Sequence, residues 1–314
     1  MSARVVVVGE AVWDFFADVP GARLASYRRH VRHVGGVEAN LASALGRLGV
    51  PVELVTTLGS DPLGDGLLEA LRADGVVVRA RRSPLRTPVV FVDVAPGGAR
   101  RFVPYRAGTA DGLIGPEELD ELPLDGASTL HLSGSAAASA SARGPAEALL
   151  DRARARGMRV SLDVNARPWQ WPEPDLACAT IERWLARVDL AKASDEDLRA
   201  LGLGEGASAI DRLLSMRGGG LSVVTRGPRG ALAWVGGRAL EIAGRPRAEV
   251  DATGAGDAFM AGLLARLNGA RIDDEAIAAA LELADRLARD VIGHLGARPS
   301  GAAIRAARRA LARR

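Results

Sequence analysis

The sequence predicts an α/β fold, a three-layer α/β/α sandwich with a mostly parallel central sheet. Three observations predict it. Short apolar runs alternate with stretches of helical periodicity, several of the runs are unbroken rather than alternating, and glycine or proline closes some of the helical stretches. Val5 to Val8 is the first such run, the pattern of a central strand covered on both faces. Leu41, Leu45 and Leu48 have helical spacing, and Gly49 and Pro51 stop that helix. Glu53 to Leu58 reads as a strand and Leu63 to Asp74 as a helix closed by Gly75. Strands are then expected at Thr129–Leu132, Arg159–Val164, Val188–Ala191 and Leu221–Thr225. Helices are expected between them at Pro145–Arg156, Leu176–Arg187 and Ile210–Met216, and the stretch from Ala255 to Arg314 is nearly all helical.

Two segments break the alternation. Ala11 to Phe16 and Pro88 to Tyr105 read as strands without a helix to pair with, and Ala95-Pro96-Gly97-Gly98 is a turn sequence between two of them. A few strands without their own core must cover something. The chain, 1–314, is therefore expected to be a single domain with a small β-sheet lid inserted at about 11–34 and 86–107.

Composition narrows the function classes. A chain of 314 residues that is 48% hydrophobic can bury a large core, and at 4% aromatic that core is built from Val, Leu, Ile and Ala. The single cysteine, Cys178, excludes an internal disulfide, fits a reducing cytoplasm and reads as a small buried hydrophobe. No stretch reaches membrane-spanning length, and the first apolar run is too short for a signal peptide, so a cytoplasmic protein without a membrane partner is expected. The net charge is only +3, and the arginines at 305, 308, 309, 313 and 314 read as a solvated helix face rather than a nucleic-acid site. The four histidines show no metal spacing.

The usage of polar residues is skewed. Lys192 is the one lysine among 41 basic side chains, asparagine occurs only at Asn40, Asn165 and Asn268, and Gln170 is the one glutamine. A residue that persists against such a skew points to chemistry that arginine cannot supply. Asn268 has a local explanation, because Asn268-Gly269 closes a helix.

The run Asp251-Ala252-Thr253-Gly254-Ala255-Gly256-Asp257, leading directly into Ala258-Phe259-Met260, carries the strongest chemical signal. Small residues let backbone N–H groups crowd together where a helix starts, and a helix N-terminus has unpaired donors and a positive dipole end. A negative ligand suits such a turn. An aspartate at that place repels an anion unless it takes a proton from a nucleophile; the competing reading is a glycine turn with Asp257 as a capping residue.

With Gly35-Gly36 followed by Asn40, Ala42, Leu45, Leu48 and Gly49, this run makes the chain resemble a ribokinase-type (phosphofructokinase-B family) carbohydrate kinase over nearly its whole length. The resemblance implies ATP-dependent phosphorylation of a sugar hydroxyl beneath the lid. It implies that Asp257 is the general base and that the amides of Gly254, Ala255 and Gly256 form an anion hole for the transferring phosphoryl group. Gly35 and Gly36 match a lid hinge, with a simple strand-to-helix turn as the competing reading; Asp14 and Asn40 match positions that hold sugar hydroxyls. Asp163, Asn165 and Arg167 resemble a family D-P-N-x-R stretch, with Val164 in place of the proline and Arg167 expected near the phosphates.

Lys192, Ser194 and Asp197 fall where the family has a lysine followed by N-x-x-E, associated with magnesium and phosphate. Asp197 would reach Mg²⁺ only through water, and Ser194 as a helix N-cap with acidic residues in the first turn is an equal reading. Thr225-Arg226-Gly227-Pro228-Arg229-Gly230 resembles the family's nucleotide turn, with Thr225, Gly227 and Gly230 as contacts. Asp251 and Ser300 resemble a monovalent-cation site, which implies K⁺ as an activator.

For the acceptor, Gly9-Glu10, Tyr105-Arg106 with Ala110-Asp111, and the segments at 194–197 and 225–227 look most like fructokinases. Tyr105 and Arg106 also suit a clamp on a sugar-acid carboxylate, as in 2-keto-3-deoxygluconate kinases; Glu38 would oppose such a substrate if it points inward. Other sugar and nucleoside acceptors of the same family stay open, as does a noncatalytic sugar-binding regulator on the same fold. A nicotinamide dehydrogenase is disfavoured, because Gly9-Glu10-Ala11-Val12-Trp13-Asp14 is not a G-x-G-x-x-G. A homodimer through the lid is the expected assembly, because a sheet edge invites pairing with a copy of itself.

Overall fold

The computed structural model describes residues 3–17, 27–94, 100–110, 122, 124–138, 140–167, 170–171, 173–245 and 247–312. The turn expected at 95–98, Asp111, the middle of the first lid segment and the pair Arg313–Arg314 lie outside these residues. In chain order the elements begin with β1 (Arg4–Val8), β2 (Val12–Ala17), β3 (His30–Gly35), α1 (Val37–Leu48), β4 (Val52–Gly59) and α2 (Pro62–Ala73). Next come β5 (Val77–Ser83), β6 (Val89–Val94), β7 (Arg100–Tyr105), β8 (Ala127–Ser133), α3 (Ala140–Ala155), β9 (Arg159–Asp163) and α4 (Pro174–Leu185). Then follow β10 (Leu190–Ser194), α5 (Asp195–Ala200), α6 (Gly206–Ser215), β11 (Leu221–Thr225), β12 (Gly230–Val235) and β13 (Arg238–Ala243). Three helices finish the chain: α7 (Ala255–Leu267), α8 (Asp274–Val291) and α9 (Gly301–Leu311). The fold is three-layer α/β/α, with a large, mostly parallel sheet and a smaller second sheet.

The chain divides into two compact units. The first comprises Met1–Val8, Leu113–Pro246 and Leu267–Glu282. Its strands run β13-β12-β11-β10-β9-β8-β1, parallel from β11 to β1 and antiparallel at the β12–β13 hairpin. Val5, Val6 and Val7 of β1 are fully buried, which accounts for the unbroken apolar run. Asn268 does more than close α7. Its carbonyl accepts from the Ser128 and Thr129 hydroxyls at 2.7 and 2.8 Å, and its amide donates to the Ala3 carbonyl at 2.7 Å, tying the helix end to the strand starts.

The second unit comprises Gly9–Gly112, Arg247–Arg266 and Leu283–Arg314. It holds the parallel pair β4–β5 and a four-stranded sheet in the order β3-β2-β6-β7. The segments expected to carry strands without helices meet in that sheet: β2 pairs in parallel with β6, and antiparallel β3 and β7 flank them. Side chains alternate between its faces. Val12, Phe16, Val90 and Val92 form a small core on one face, with Leu295 packed against it, and the alternation places Asp14 on that same face. The other face carries aromatic contacts of Phe15, His30 and Tyr105 with Phe91, and Arg32 lies 4.0 Å over Trp13.

Helix ends follow from identifiable residues. Gly36, at φ 94°, is the N-cap of α1, and Gly49, at φ 82°, closes it in the left-handed conformation. Asp61 caps α2 by accepting from the Gly64 amide, and Pro62 occupies the first turn, where its missing N–H costs nothing. α7 is apolar on all sides, with Ala258 to Leu267 buried except Arg266, and Gly262 allows Ala284 of α8 to approach so closely that a Cβ there would lie 2.5 Å from the Ala284 Cα.

Candidate active site

The residues expected to handle the acceptor belong to the second unit, except Asn165, which lies in the first. Asp257 sits in the first turn of α7, after Gly254 at φ 77°. A Cβ on Gly254 would lie 2.2 Å from the Ala297 Cβ, so the turn needs glycine for its dihedral and for its space. Asp251 organises what precedes it. Fully buried, its carboxylate accepts from the Thr253 amide and hydroxyl at 2.9 and 2.6 Å and from the Gly296 amide at 3.1 Å. One correction concerns the anion hole: the Ala255 amide closes a turn onto the Ala252 carbonyl at 3.2 Å, so it is engaged locally, unlike the expectation that three successive amides face one anion.

Across from this turn, Asn40 donates from Nδ2 to Asp257 Oδ2 at 2.8 Å. The bond joins two motifs 217 residues apart in sequence. Gly35 and Gly36 explain themselves at the same place. A Cβ on Gly35 would lie 2.2 Å from Asp14 Oδ2, and one on Gly36 would lie 2.8 Å from the Glu10 carbonyl. The pair lets the Asp14 carboxylate lie against β3 while the chain turns into α1.

Asp14 is 6% exposed, and its pKa is pushed up to about 8 from 3.8. Burial is the main cause, then the negative charges of Glu10, Asp257 and Asp251, with Arg106 opposing. At neutral pH it is therefore a carboxylic acid that both donates and accepts. The native state binds this proton more tightly than the unfolded chain. Its stabilising contribution is thus full below the unfolded value of 3.8 and is lost as pH rises towards about 8. Asp14→Asn, which cannot ionise, is expected to gain on the wild type by several degrees in melting temperature between about pH 4 and about pH 9. Differential scanning fluorimetry across that range measures it, and parallel curves would contradict the assignment.

Glu10 entered the sequence reading only within the Gly9-Glu10 resemblance to fructokinases, without a role of its own. Its carboxylate pairs with Arg106 and accepts from the Val37 amide at 3.2 Å, while its own amide donates to Glu38 at 3.1 Å. It thus anchors the first turn of α1, three residues before Asn40. Arg106 is not waiting for a carboxylate, since Glu10 already holds one against it. Tyr105 is 61% exposed and its ring packs edge-on to Phe91.

Of the residues expected to handle the nucleotide, Gly254 and Gly256 lie in the second unit; the others lie in the first, at or near the C-terminal ends of adjacent parallel strands, where open α/β sheets bind ligands. Asp163 ends β9, Ser194 ends β10 and Thr225 ends β11, with Ser194 directly opposite Thr225. Asn165 follows at φ 35°, a conformation asparagine tolerates, and is 7% exposed. Gly227 and Gly230 also have positive φ, 53° and 89°, and a Cβ on Gly230 would lie 2.0 Å from the Ile242 carbonyl. Lys192 differs from expectation. Buried within β10, it donates to both oxygens of Asp163 at 3.0 and 2.9 Å, a pair set by the register of the two strands. Burial, then the Lys192 charge, drives the pKa of nearby His131 down to about 3, so that ring is neutral.

The metal assignments fit poorly. Asp197 is 2% exposed; it accepts from the Ser194 amide and hydroxyl at 2.7 and 2.8 Å and from the Ala166 amide at 2.7 Å, and Arg167 stands 3.7 Å away. This is a capping box, which favours the helix-cap reading over a magnesium ligand. Ser300 is the N-cap of α9 and bonds Asp290, not Asp251, through its amide at 2.6 Å and hydroxyl at 2.9 Å. Among the described residues no group of three His, Cys, Asp or Glu side chains could hold a metal ion, and no helix is long and apolar enough to cross a membrane.

The geometry agrees with comparisons to known proteins. The model of the pfkB family carbohydrate kinases matches residues 2–303. A fructokinase of Klebsiella pneumoniae is 33% identical over 287 residues, covering 90% of this chain and 91% of that one. Among solved structures, the fructokinase of Xylella fastidiosa with bound ATP has a TM-score of 0.84 at 26% identity and covers 98% of each chain. A double mutant of the fructokinase from Vibrio cholerae O395, with fructose, ADP and a potassium ion bound, has a TM-score of 0.84 at 28% identity and covers 97% of each chain. The chain belongs to the pfkB family of carbohydrate kinases. It is an enzyme that moves a phosphoryl group onto a carbohydrate hydroxyl.

Proposed function

We propose that the protein transfers the γ-phosphoryl group of ATP to a primary hydroxyl of fructose. The observation that carries the reading is the 2.8 Å bond from Asn40 to Asp257, because it sets a carboxylate and a hydroxyl-binding amide together at a helix start behind a glycine turn. Asp257 takes the proton of the attacking hydroxyl as its oxygen bonds to the γ-phosphorus. The bond from that phosphorus to the β-γ bridging oxygen breaks, and ADP leaves with the electron pair. The amides of Gly254 and Gly256, at the positive end of α7, stabilise charge on the phosphoryl oxygens. Asp14, lying against Gly35, and Asn40 hold the other hydroxyls. Arg167, Thr225, Gly227 and Gly230 are the proposed nucleotide contacts, and Asn165 is a proposed acceptor contact.

Fructose is preferred over a sugar acid for an electrostatic reason. Asp14 feels the negative charges of Glu10, Asp257 and Asp251 against the single Arg106, which Glu10 already neutralises. A neutral polyol meets no such field. The fructokinases among the relatives support the same acceptor. A magnesium ion would add charge neutralisation on the phosphates, but Asp197 is committed to its capping box, so no step here depends on it.

A coupled assay of ADP release tests the reading across fructose, ribose, 2-keto-3-deoxygluconate, inositol and nucleosides, with and without potassium. Release with fructose above all others is expected. Release with the sugar acid instead would overturn the acceptor, and release with none would restore the regulator. The small sheet also supports a homodimer: β3 and β7 are its edges, and Val31, Phe102 and Tyr105 are exposed on its strands. A monomer by sedimentation in the same preparation would exclude that assembly.

A further inference from the structure

Asn40 offers two functional atoms, and only one has a partner among the described residues. Its backbone is fixed: the Val37 amide is held by Glu10, the Asn40 amide donates to the Gly36 carbonyl at 2.8 Å, and residues 38–46 of α1 are all buried. The side chain is 6% exposed. Nδ2 donates to Asp257, while Oδ1 is buried without a hydrogen-bond partner among the described residues. The orientation follows from chemistry, because turning the amide over would set its carbonyl against a carboxylate. A buried carbonyl left without a donor is unfavourable, and such an atom beside a base is a place prepared for a ligand's O–H.

We propose that Asn40 is a positioning residue that couples arrival of the acceptor to orientation of the base: a non-reacting sugar hydroxyl donates to Oδ1, and the amide then holds Asp257 in line with the reacting hydroxyl. A donor on the carbonyl polarises the amide and strengthens its N–H bond to the carboxylate. The sugar that fills the site thereby sets its own base. The coupling explains why an amide stands here in a chain with only three asparagines, since aspartate would repel Asp257 and serine is too short to bridge the two groups.

This proposal rests on the sugar-kinase reading, and its test separates the two. The wild type and Asn40→Ala are assayed with fructose and with its singly deoxygenated analogues at saturating concentration, and kcat is followed against pH. In the wild type one deoxy analogue is expected to lose at least about tenfold in kcat, not only in KM. In Asn40→Ala, kcat with fructose falls by about 10–100-fold, and the further loss from the same analogue shrinks to about twofold, because the linked contact is already gone. The acid limb of kcat moves to higher pH, since the carboxylate has lost a donor that favours its ionised form. A merely structural asparagine would lower the melting temperature and leave that limb in place.

Should Asn40→Ala fail to fold, the analogue series on the wild type still decides the matter. Analogues that change KM alone, or a variant with an unmoved limb and a kcat within twofold, overturn this proposal but not the kinase. A wild type inert with every sugar overturns both.

Discussion

Asp257→Asn is expected to lower kcat by about 10²–10⁴-fold while the affinity for fructose stays within a few-fold. The substitution is nearly isosteric, and the new amide can turn its carbonyl towards Asn40 Nδ2, so the 2.8 Å contact that holds the wild-type side chain survives. The start of α7 is also kept, because its order comes from Asp251 and from Gly254, neither of which is touched. What disappears is the proton acceptor. The hydroxyl oxygen must then attack while still protonated or surrender its proton to water. Phosphoryl transfer through a loose transition state makes the nucleophile's charge matter late, which is why the lower end of the range is allowed. A loss below about tenfold would mean that alignment and the amides carry the reaction and that Asp257 is a capping residue. Single-turnover measurement of sugar phosphate, beside calorimetric binding of fructose, separates these outcomes. If affinity and turnover fell together, the carboxylate would be a binding group instead.

Much of this arrangement could be read from the sequence, and what escaped has physical reasons. β1 was legible because a buried parallel strand needs apolar residues on both faces, and α7 because its residues are small and apolar on every side. The glycine motifs were legible because few residues can meet the backbone they require. β12 and β13 were not: this is an edge hairpin with alternating exposure, carrying Arg238 and Glu241, although the turn at Gly236-Gly237, with φ of 55° and 77°, was a signal that could have found it. β5 escaped because its arginines at 79, 81 and 82 suit the outer edge of a sheet and disguise the strand as a polar loop. α3 begins at Ala140 and takes Pro145 inside it, whereas the sequence placed the start at the proline.

In the site, pairings across the fold were the hardest to foresee. Lys192 meets Asp163 because β9 and β10 align in one register, and Ser300 meets Asp290 because α9 starts beside the end of α8. Neither follows from spacing along the chain. Family resemblance brought both residues to ligand sites, and the structure gives them protein partners instead. The bond between Asn40 and Asp257 is different, because each end already lay in a motif whose chemistry demanded a neighbour.

The second large effect is expected at Gly254. Gly254→Ala should reduce kcat by about 10²–10³-fold, the loss found when one donor to a developing anion is removed. The cause is geometric. At φ 77° an alanine is strained by about 1–2 kcal/mol, and its methyl would lie 2.2 Å from the Ala297 Cβ and 2.6 Å from the Ala297 Cα. The opposing loop cannot simply withdraw. Gly296 is tied to Asp251 at 3.1 Å, Pro299 to Arg47 at 2.7 Å, and Ser300 caps α9. The strain therefore passes to the start of α7 and moves the Gly254 and Gly256 amides, and displacement of reacting groups by about 1 Å costs about 10²-fold. Overpacking adds a stability loss of about 1–3 kcal/mol to the dihedral strain, visible as an earlier urea midpoint. The two readouts must move together. A variant with a lowered midpoint but nearly native kcat would show that the turn serves only to pack α7 against the loop, and the anion hole would have to be sought elsewhere.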